Sequence, residues 1–246
     1  MFQNKTILVT GGTGSFGKKF VKKLLNSFKC KKIIIFSRDE LKQFELREAL
    51  SQHKRSKSLR FFLGDIRDKS RLLTALNNVD YVVHCAALKH VEISEYNSFE
   101  SVLTNIVGVQ NVIDAALTCN VKKVLFTSSD KAVNPSSVMG TTKLMGEKLI
   151  IAANNYTGDK ITRFASVRFG NVLDSNGSVV RVFKKQLNDK KPLTITSNKM
   201  TRYFINIDQA IELCIFSLNE MLGGEIFFPK MKSFNIVNLA KAISKN

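Results

Sequence analysis

A glycine-rich turn between a short apolar run and a helical pattern constrains the fold of this chain more than any other feature. The apolar run ends at Thr10, and residues 11–17 then read Gly-Gly-Thr-Gly-Ser-Phe-Gly. Such a turn lets backbone N–H groups approach a pyrophosphate at the positive end of the following helix. The glycines at positions 11, 14 and 17 are each three residues apart, and a merely tight turn does not require this spacing. The cofactor-binding residues predicted here are Gly11, Thr13, Gly14, Ser15, Phe16 and Gly17.

Strand-like and helix-like segments alternate from this turn up to Asn171. Apolar runs of the buried-strand type lie at residues 6–10, 33–36, 59–63, 80–84, 121–127 and 165–169, and helical patterns separate them. This alternation predicts an α/β fold, a Rossmann-type doubly wound parallel sheet. We expect residues 1–170 to form an NADP-binding Rossmann domain. Residues 171–246 are expected to form a small, incomplete substrate-binding part interleaved with it.

Composition excludes several classes of protein. Lys and Arg number 38 against 20 Asp and Glu, a net charge of +18, but the lysine clusters are short and interrupted by apolar helix positions. That pattern is typical of solvated helix faces, so no nucleic-acid partner is expected. No apolar run is long enough to span a membrane. The four cysteines are widely separated, which predicts neither a metal site nor disulfides, and Cys85, Cys119 and Cys214 are expected to be buried and reduced, as in the cytoplasm.

The end of the second strand bears on the choice between NADP and NAD. An acidic residue there holds the ribose 2′-hydroxyl of NAD, whereas an arginine grips a 2′-phosphate through two hydrogen bonds. Arg38 therefore favours NADP, with Lys42 one helical turn further on as a second cation. Asp39 keeps NAD open as the less favoured cofactor, because it is the acidic residue if the register is displaced by one.

Two further strand ends are expected to contact the cofactor. Asp65 and Ile66 follow the third strand and are predicted to pin the adenine, the alternative being that Asp65 only caps the next helix. Ala86 and Ala87 follow the fourth strand, where small side chains suit a close approach of the cofactor. Lys89, just beyond them, is expected to serve both cofactor and substrate.

The end of the fifth strand carries the candidate catalytic residues. Ligands of open α/β sheets lie at the carboxyl ends of the strands, so Ser129, Asp130 and Lys131 should face the ligand. Met139 and Lys143 lie four residues apart, on one face of the next helix. This arrangement resembles the extended short-chain dehydrogenase/reductases, in which Ser or Thr closes the strand and a Tyr-x-x-x-Lys pair follows.

Seven segments extend the resemblance over essentially the whole chain. They are Gly-Gly-Thr-Gly-Ser-Phe-Gly at 11–17, Ser-Arg-Asp-Glu-Leu-Lys-Gln at 37–43, Ala-Ala-Leu-Lys-His at 86–90, Ser-Asp-Lys-Ala at 129–132, Arg-Phe-Gly-Asn-Val at 168–172, Gly-Ser-Val-Val at 177–180 and Met-Thr-Arg at 200–202. Together they resemble the inverting UDP-N-acetylglucosamine 4,6-dehydratases, which begin bacterial pathways to modified surface sugars. The Asp-Lys pair is the specific part of the match.

The resemblance implies a redox-neutral dehydration of a UDP-sugar with bound NADP. The C4 hydroxyl is oxidised, the C5 proton is removed, water leaves from C6 and the hydride returns to C6. Asp130 is the expected acid and Lys131 the expected base, whose pKa would need lowering by burial or by a neighbouring cation such as Lys89. Lys143 would bind the nicotinamide ribose. The implied substrate-binding residues are Lys89, Asn171, Val172, Thr201 and Arg202.

Met139 departs from the family pattern, because it stands where the usual tyrosine would act as a base. Methionine has no transferable proton and cannot deprotonate the C4 hydroxyl. Some subfamilies in the capsule branch also carry methionine here, so the change is compatible with activity. We expect Asp130, or a water held by Ser129, to make the first proton transfer.

Two other functions stay open. A 4-epimerase on the same substrate shares the first hydride step but needs no C5 base, so Lys131 beside Asp130 favours dehydration. A catalytically inactive NADP-binding protein is the second alternative, because the tyrosine is missing. The chain is also short for the family, so part of the sugar-nucleotide pocket is expected to be absent from it. By resemblance, the long helices at 99–118 and 138–155 predict a homo-oligomer.

Overall fold

A computed structural model describes residues 1–173 and 178–244 of the chain. Gly177, the first residue of the Gly-Ser-Val-Val motif, and the final Lys245 and Asn246 lie outside the described residues. Within the described ranges, no helix is both long and apolar enough to cross a membrane.

The observed elements follow the predicted alternation of strands and helices. The strands are β1 (Thr6–Thr10), β2 (Lys32–Ser37), β3 (Leu59–Leu63), β4 (Tyr81–His84), β5 (Lys123–Ser129), β6 (Arg163–Phe169), β7 (Asn171–Val172), β8 (Thr201–Ile205), β9 (Ile226–Phe227) and β10 (Ser233–Asn235). The α-helices are α1 (Ser15–Ser27), α2 (Glu40–Leu50), α3 (Lys69–Leu76), α4 (Val91–Tyr96), α5 (Ser98–Val102), α6 (Gly108–Thr118), α7 (Val138–Ala152), α8 (Val179–Asn188), α9 (Ile207–Glu220) and α10 (Ile236–Ser244).

Seven parallel strands form the main sheet in the order β3-β2-β1-β4-β5-β6-β9. Because β1 lies between β2 and β4, the winding reverses direction there, and Thr10 pairs with both Phe36 and His84. Ligands of such sheets bind at the carboxyl ends of the strands beside this reversal. The predicted doubly wound parallel sheet is confirmed.

Two apolar clusters cover the two faces of the main sheet. Val9 and Ile35 belong to the cluster that α1 and α9 complete, whereas Leu8 and Phe36 belong to the cluster that α3 and α6 complete. Neighbouring residues of one strand point to opposite faces, which explains the division. The strands are apolar throughout because both faces of the sheet are covered.

A three-stranded sheet in the order β10-β8-β7 forms a second, smaller unit. It lies with α8 and α10, whose Phe183 and Ile236 are buried in a third apolar cluster. Between these elements the chain returns to the main sheet, where α9 packs on α1 and β9 pairs with β6. Residues 171–246 therefore contribute to both sheets, and the division at residue 170 stays a prediction.

Some sequence expectations were wrong in detail. The helix expected at 99–118 is interrupted by a π-helical turn, Leu103–Val107, between α5 and α6. The strands β9 and β10 and the helix α4 were not predicted, because elements this short carry no usable periodicity. Cys214 is buried as expected, but Cys85 and Cys119 are only half-buried.

Candidate active site

The glycine-rich turn folds so closely that side chains would not fit in it. Gly11 has a φ of 64°, and a Cβ there would lie 2.9 Å from backbone atoms of Ala86. A Cβ on Gly17 would collide with the carbonyl oxygen of Gly11 and lie 2.6 Å from the Cα of Gly12. Helix α1 begins after Gly14, which supplies no side-chain cap. The turn therefore has the form of an open cradle of N–H groups that fits a pyrophosphate.

The other predicted residues of the turn lie around this cradle. Thr13 is buried, Gly14 is exposed, and Ser15 and Phe16 are half-buried. The Phe16 ring stacks on Phe169 at the end of β6, with ring centroids 5.7 Å apart. The start of α1 is thereby fixed against the strand that leads to Asn171.

Asp39 caps α2 and also forms an ion pair with Lys42. The Asp39 carboxylate accepts a hydrogen bond from the backbone N of Lys42 at 2.9 Å and also pairs with the Lys42 ammonium. These hydrogen bonds hold the pKa of Asp39 below its usual value. Lys42 was expected to stand beside Arg38 as a second cation, and it is paired with Asp39 instead. The Arg38 side chain is 57% exposed, and its nearest acidic partner is Asp65 at 3.7 Å.

Asp65 does not cap the helix that follows it. Asp68 caps α3 by accepting from the backbone N of Arg71, whereas the Asp65 carboxylate accepts from the backbone and side chain of Arg67. Burial raises the pKa of Asp65, but the hydrogen bonds from Arg67 outweigh burial and the net shift is downwards. Ile66 is buried against Gly108 of α6, with 4% of its surface exposed.

A buried histidine organises the loop after β4. The Thr10 hydroxyl accepts hydrogen bonds from the backbone N of Cys85 at 3.1 Å and of Ala86 at 3.2 Å, and lies 2.6 Å from Nδ1 of His84. A hydroxyl has two acceptor positions, so its proton goes to Nδ1 and His84 carries its own proton on Nε2. Burial lowers the pKa of His84 to about 3. This network fixes Ala86 against Gly11.

An asparagine in the π-helical turn holds the next part of this loop. Asn105 is buried, and its side chain accepts from the N of Leu88 at 2.8 Å and donates to the O of Leu88 at 2.9 Å. It also donates to the Thr142 hydroxyl on α7 at 3.0 Å. Leu88 follows Ala87, which is half-buried, and precedes Lys89, whose pKa is lowered by partial burial and by Arg181.

The predicted acid and base lie in direct contact at the end of β5. Lys131 Nζ donates to Asp130 Oδ1 at 3.0 Å and to Asn171 Oδ1 at 3.0 Å. The Ser129 hydroxyl donates to the same Asp130 oxygen at 2.8 Å. Asn171 and its neighbour Val172 form β7, so the small sheet supplies one member of this cluster.

Met139 and Lys143 are both buried on α7. Met139 is 3% exposed and Lys143 is 6% exposed, and the Lys143 ammonium donates to the carbonyl oxygen of Thr127 at 3.0 Å. Burial lowers the pKa of Lys143 to about 8, against the opposing charge of Glu147. Helix α7 thus places a buried ammonium against Thr127, in the last part of β5.

Two of the predicted substrate residues lie apart from this cluster. Thr201 and Arg202 begin β8, in register with Asn235 and Phe234 of β10. Asn171 pairs with Phe204, near the other end of β8. The Arg202 guanidinium donates to the carbonyl oxygen of Thr201.

Sequence reasoning missed Asn105, His84 and the ion pair of the buried Glu147 with the half-buried Arg168. The sequence does contain a signal for Asn105, because this residue lies four positions before Val109 on the apolar face of a predicted helix. A polar side chain on a buried face needs a hydrogen-bond partner, which marks Asn105 as a residue with a specific contact. His84 similarly ends an apolar strand. Arg168 offered only a motif match, and nothing in the sequence pointed to its partner on α7.

The sheet, the glycine cradle and the residues at the ends of β4 and β5 define a Rossmann-type protein with the fold of the short-chain dehydrogenase/reductases. The chain belongs to the polysaccharide biosynthesis protein family, whose profile matches residues 7–246. Over its full length it is 50% identical to the inverting UDP-N-acetylglucosamine 4,6-dehydratase of Campylobacter jejuni and covers 73% of that protein.

Other relatives show how broad the family is. The chain is 40% identical to the UDP-glucose 4-epimerase of Rickettsia akari, with 100% of the chain and 72% of the relative covered. Among solved structures, Pen from Bacillus thuringiensis superposes with a TM-score of 0.96 at 43% identity, over 99% of this chain and 76% of Pen.

Proposed function

We propose that this protein is a nucleotide-sugar 4,6-dehydratase, a hydro-lyase that acts on UDP-N-acetylglucosamine and inverts C5. The observation that carries the proposal is the contact of Lys131 with both Asp130 and Asn171 at the carboxyl end of β5. An elimination needs an acid and a base close together, and this pair supplies both. The identity to the Campylobacter jejuni dehydratase over the full chain supports the same reaction.

NADP fits the cofactor site better than NAD. Asp39, the acidic residue that NAD would need, is engaged as the cap of α2 and as the partner of Lys42. Arg38 remains as an exposed guanidinium at the end of β2, suited to a 2′-phosphate. The pyrophosphate would lie on the glycine cradle, and Ala86 and Ala87 would face the nicotinamide end. When bound, NADP would supply the temporary oxidation at C4 and the reduction at C6.

The transfer of one proton from Lys131 to Asp130 would prepare the base and the acid that the reaction needs. The structure pairs the two side chains at 3.0 Å, and moving a single proton from the ammonium to the carboxylate gives a neutral acid beside a neutral amine. Exclusion of water by a bound sugar favours this neutral form, because low polarity penalises separated charges. The neutral Lys131 then takes the C5 proton, and Asp130 protonates the departing C6 hydroxyl.

Other side chains would orient the reacting groups. Asn171 accepts a second hydrogen bond from Lys131, and Ser129 donates to Asp130, so both reacting side chains are held by a further partner. Lys143 would hold the nicotinamide ribose. Because Met139 cannot accept a proton and Asp130 is already protonated in the neutral pair, we assign the first proton transfer, from the C4 hydroxyl, to a water held by Ser129.

The small sheet would bind the sugar nucleotide. Asn171 and Val172 on β7 would contact the substrate near the acid and base. Thr201 and Arg202 would contact it at the start of β8, away from the end that pairs with Asn171. Lys89 would approach from the loop after β4. We therefore assign the substrate to the part of the chain after residue 170, together with Lys89.

Mass spectrometry of UDP-N-acetylglucosamine incubated with the protein tests this function. Loss of one water from the sugar supports the dehydratase. A new sugar of unchanged mass would instead support a 4-epimerase, the second candidate, which the similarity to the Rickettsia akari epimerase favours. Tight NADP binding with no sugar product would indicate an inactive cofactor-binding protein.

A further inference from the structure

A buried carboxylate, Glu147, lies one helical turn from Lys143 and forms an ion pair with the half-buried Arg168. The Glu147 side chain is 1% exposed, and Arg168 on β6 contacts both of its oxygens. Arg168 Nε lies 2.8 Å from Oε1, and Nη2 lies 2.5 Å from Oε2. Lys143 and Glu147 stand four residues apart on α7, so their side chains face the same side of the helix.

Two cationic side chains, Arg168 and Lys143, are neighbours of Glu147, and Arg168 is the one that binds it. A buried carboxylate without a partner is strongly destabilising, so Glu147 must be neutralised by Arg168 or by Lys143. Arg168 takes both oxygens with its planar guanidinium. The Lys143 ammonium consequently points to the other side, where it donates to Thr127 O at 3.0 Å and lies 4.6 Å from the centre of the Phe126 ring.

We propose that Arg168 is a positioning residue that keeps Lys143 directed at the cofactor by occupying Glu147. The proposal rests on the function proposed above, in which Lys143 holds the nicotinamide ribose. If the guanidinium is removed, Glu147 becomes a buried, unpaired carboxylate beside a buried ammonium. The two then pair along the helix, and Lys143 turns away from Thr127 and from the ribose.

The test is a rescue experiment on the full chain. Arg168→Met is expected to weaken NADP binding about tenfold and to lower kcat on UDP-N-acetylglucosamine about 100-fold, because a displaced group near the reacting centre has effects of this size. Adding Glu147→Gln to Arg168→Met removes the competing carboxylate. The double variant is expected to recover most of the NADP affinity, because the two substitutions share one interaction.

Two results would overturn the proposal: an Arg168→Met variant that binds NADP as the wild type does, or a double variant that binds no better than the single one. Arg168→Lys covers the case in which Arg168→Met does not fold. Its single ammonium lacks the two-pronged contact and leaves one Glu147 oxygen for Lys143. Its NADP affinity should fall, and wild-type affinity would count against the proposal.

Lys122→Met is the matched control for loss of a structural ion pair. Lys122 pairs with Asp80 at 2.8 Å, at the amino end of the strands and away from the site. This variant should lower the melting temperature but leave NADP affinity unchanged. NADP binding requires no sugar, so the role of Arg168 is decided even if the wild type does not dehydrate UDP-N-acetylglucosamine.

Discussion

Single residues determine how the site can work without a tyrosine. Met139 is almost fully buried at the start of α7, and its carbonyl oxygen accepts a hydrogen bond from Thr142, which Asn105 holds in turn. The Met139 side chain is therefore enclosed by neighbouring atoms, and its backbone is held by the hydrogen bond from Thr142. In the proposed mechanism, proton transfer is assigned to Asp130, Lys131 and a water held by Ser129. The side chains of these three residues already share hydrogen bonds.

Replacing Met139 by tyrosine should reduce activity rather than restore it. A larger ring in a packed position forces neighbouring atoms to move, at a typical cost of about 1–3 kcal/mol. We expect Met139→Tyr to lower kcat at least about tenfold, and Met139→Leu, which conserves volume, to stay within about threefold of the wild type. Steady-state kinetics and melting temperatures measure both. Higher turnover in Met139→Tyr would show that the site is not built around methionine.

His84 should make the protein sensitive to acid. Its pKa is about 3 in the folded chain, against about 6.5 when unfolded. Between these values the unfolded chain binds a proton that the folded chain does not. The free energy of unfolding should therefore fall as the pH drops through this window, by up to about 1.4 kcal/mol per pH unit.

The variant His84→Asn separates this contribution from that of other groups. Asparagine keeps an acceptor for the Thr10 hydroxyl but does not titrate. Urea unfolding at several pH values between 3 and 6.5 should give a flatter pH dependence than the wild type. An unchanged slope would mean that other groups cause the acid sensitivity.

Local structure was predictable from consecutive residues, and contacts between residues far apart in the chain were not. Gly11 and Gly17 could be recognised because strand, turn and helix are consecutive in the chain. The pairing of Lys42 with Asp39 was not predicted, and the role of Lys42 as a second cation for the cofactor stays a prediction. The clamp of Asn105 on Leu88 and the pair of Arg168 with Glu147 join residues 17 and 21 positions apart.

At the scale of elements, the strand ends rather than the helices locate the site. β1 and β3 were predicted to the residue and β2 and β4 to within one residue, whereas β5 lies two residues further along the chain than predicted. Buried parallel strands are recognisable because they are largely continuous apolar runs. The helix predicted at 99–118 lies where it was expected, but a π-helical turn interrupts it. Apolar periodicity does not reveal such a turn. That turn matters here because it carries Asn105, which holds the loop after β4 to α7.

The first turn of α1 should not tolerate a methyl group at Gly17. An added Cβ would meet backbone atoms of Gly11 and Gly12, which cannot move without opening the cradle. We expect Gly17→Ala to weaken NADP binding at least about tenfold and to cost about 1–3 kcal/mol of stability.

Gly158→Ala is the control for this substitution. Gly158 has a φ of 57°, and a Cβ there would find no atom within 4 Å. The left-handed backbone alone should cost about 1–2 kcal/mol, without any loss of NADP affinity. Equal NADP affinity in the two variants, measured by titration calorimetry, would argue against the cradle as the pyrophosphate site.

At the scale of the molecule, one apolar surface stands out among the described residues. Ile93 and Tyr96 on α4, Phe99 on α5 and Met145 on α7 are all exposed, Tyr96 to 92%. These helices pack against one another, so the four side chains belong to neighbouring elements. Large exposed apolar patches mark interaction surfaces. We propose that a second copy of the chain covers this one, in keeping with the homo-oligomer expected from the sequence.

Charge introduced on this surface should separate the copies. We expect the wild type to be a dimer or larger by light scattering, and the double variant Tyr96→Lys/Phe99→Lys to be a monomer at the same concentration. Phe228→Lys, at another exposed aromatic residue, should leave the assembly intact. A monomeric wild type would contradict the proposed self-association.

An incubation in heavy water tests most directly whether Asp130 and Lys131 remove water across C5 and C6 of a UDP-sugar. In the wild type, UDP-N-acetylglucosamine should lose one water and gain one deuterium at C5, because the C5 proton is exchanged through Lys131. Lys131→Met should yield neither change. A product of unchanged mass without deuterium at C5 would contradict the claim and indicate an epimerase.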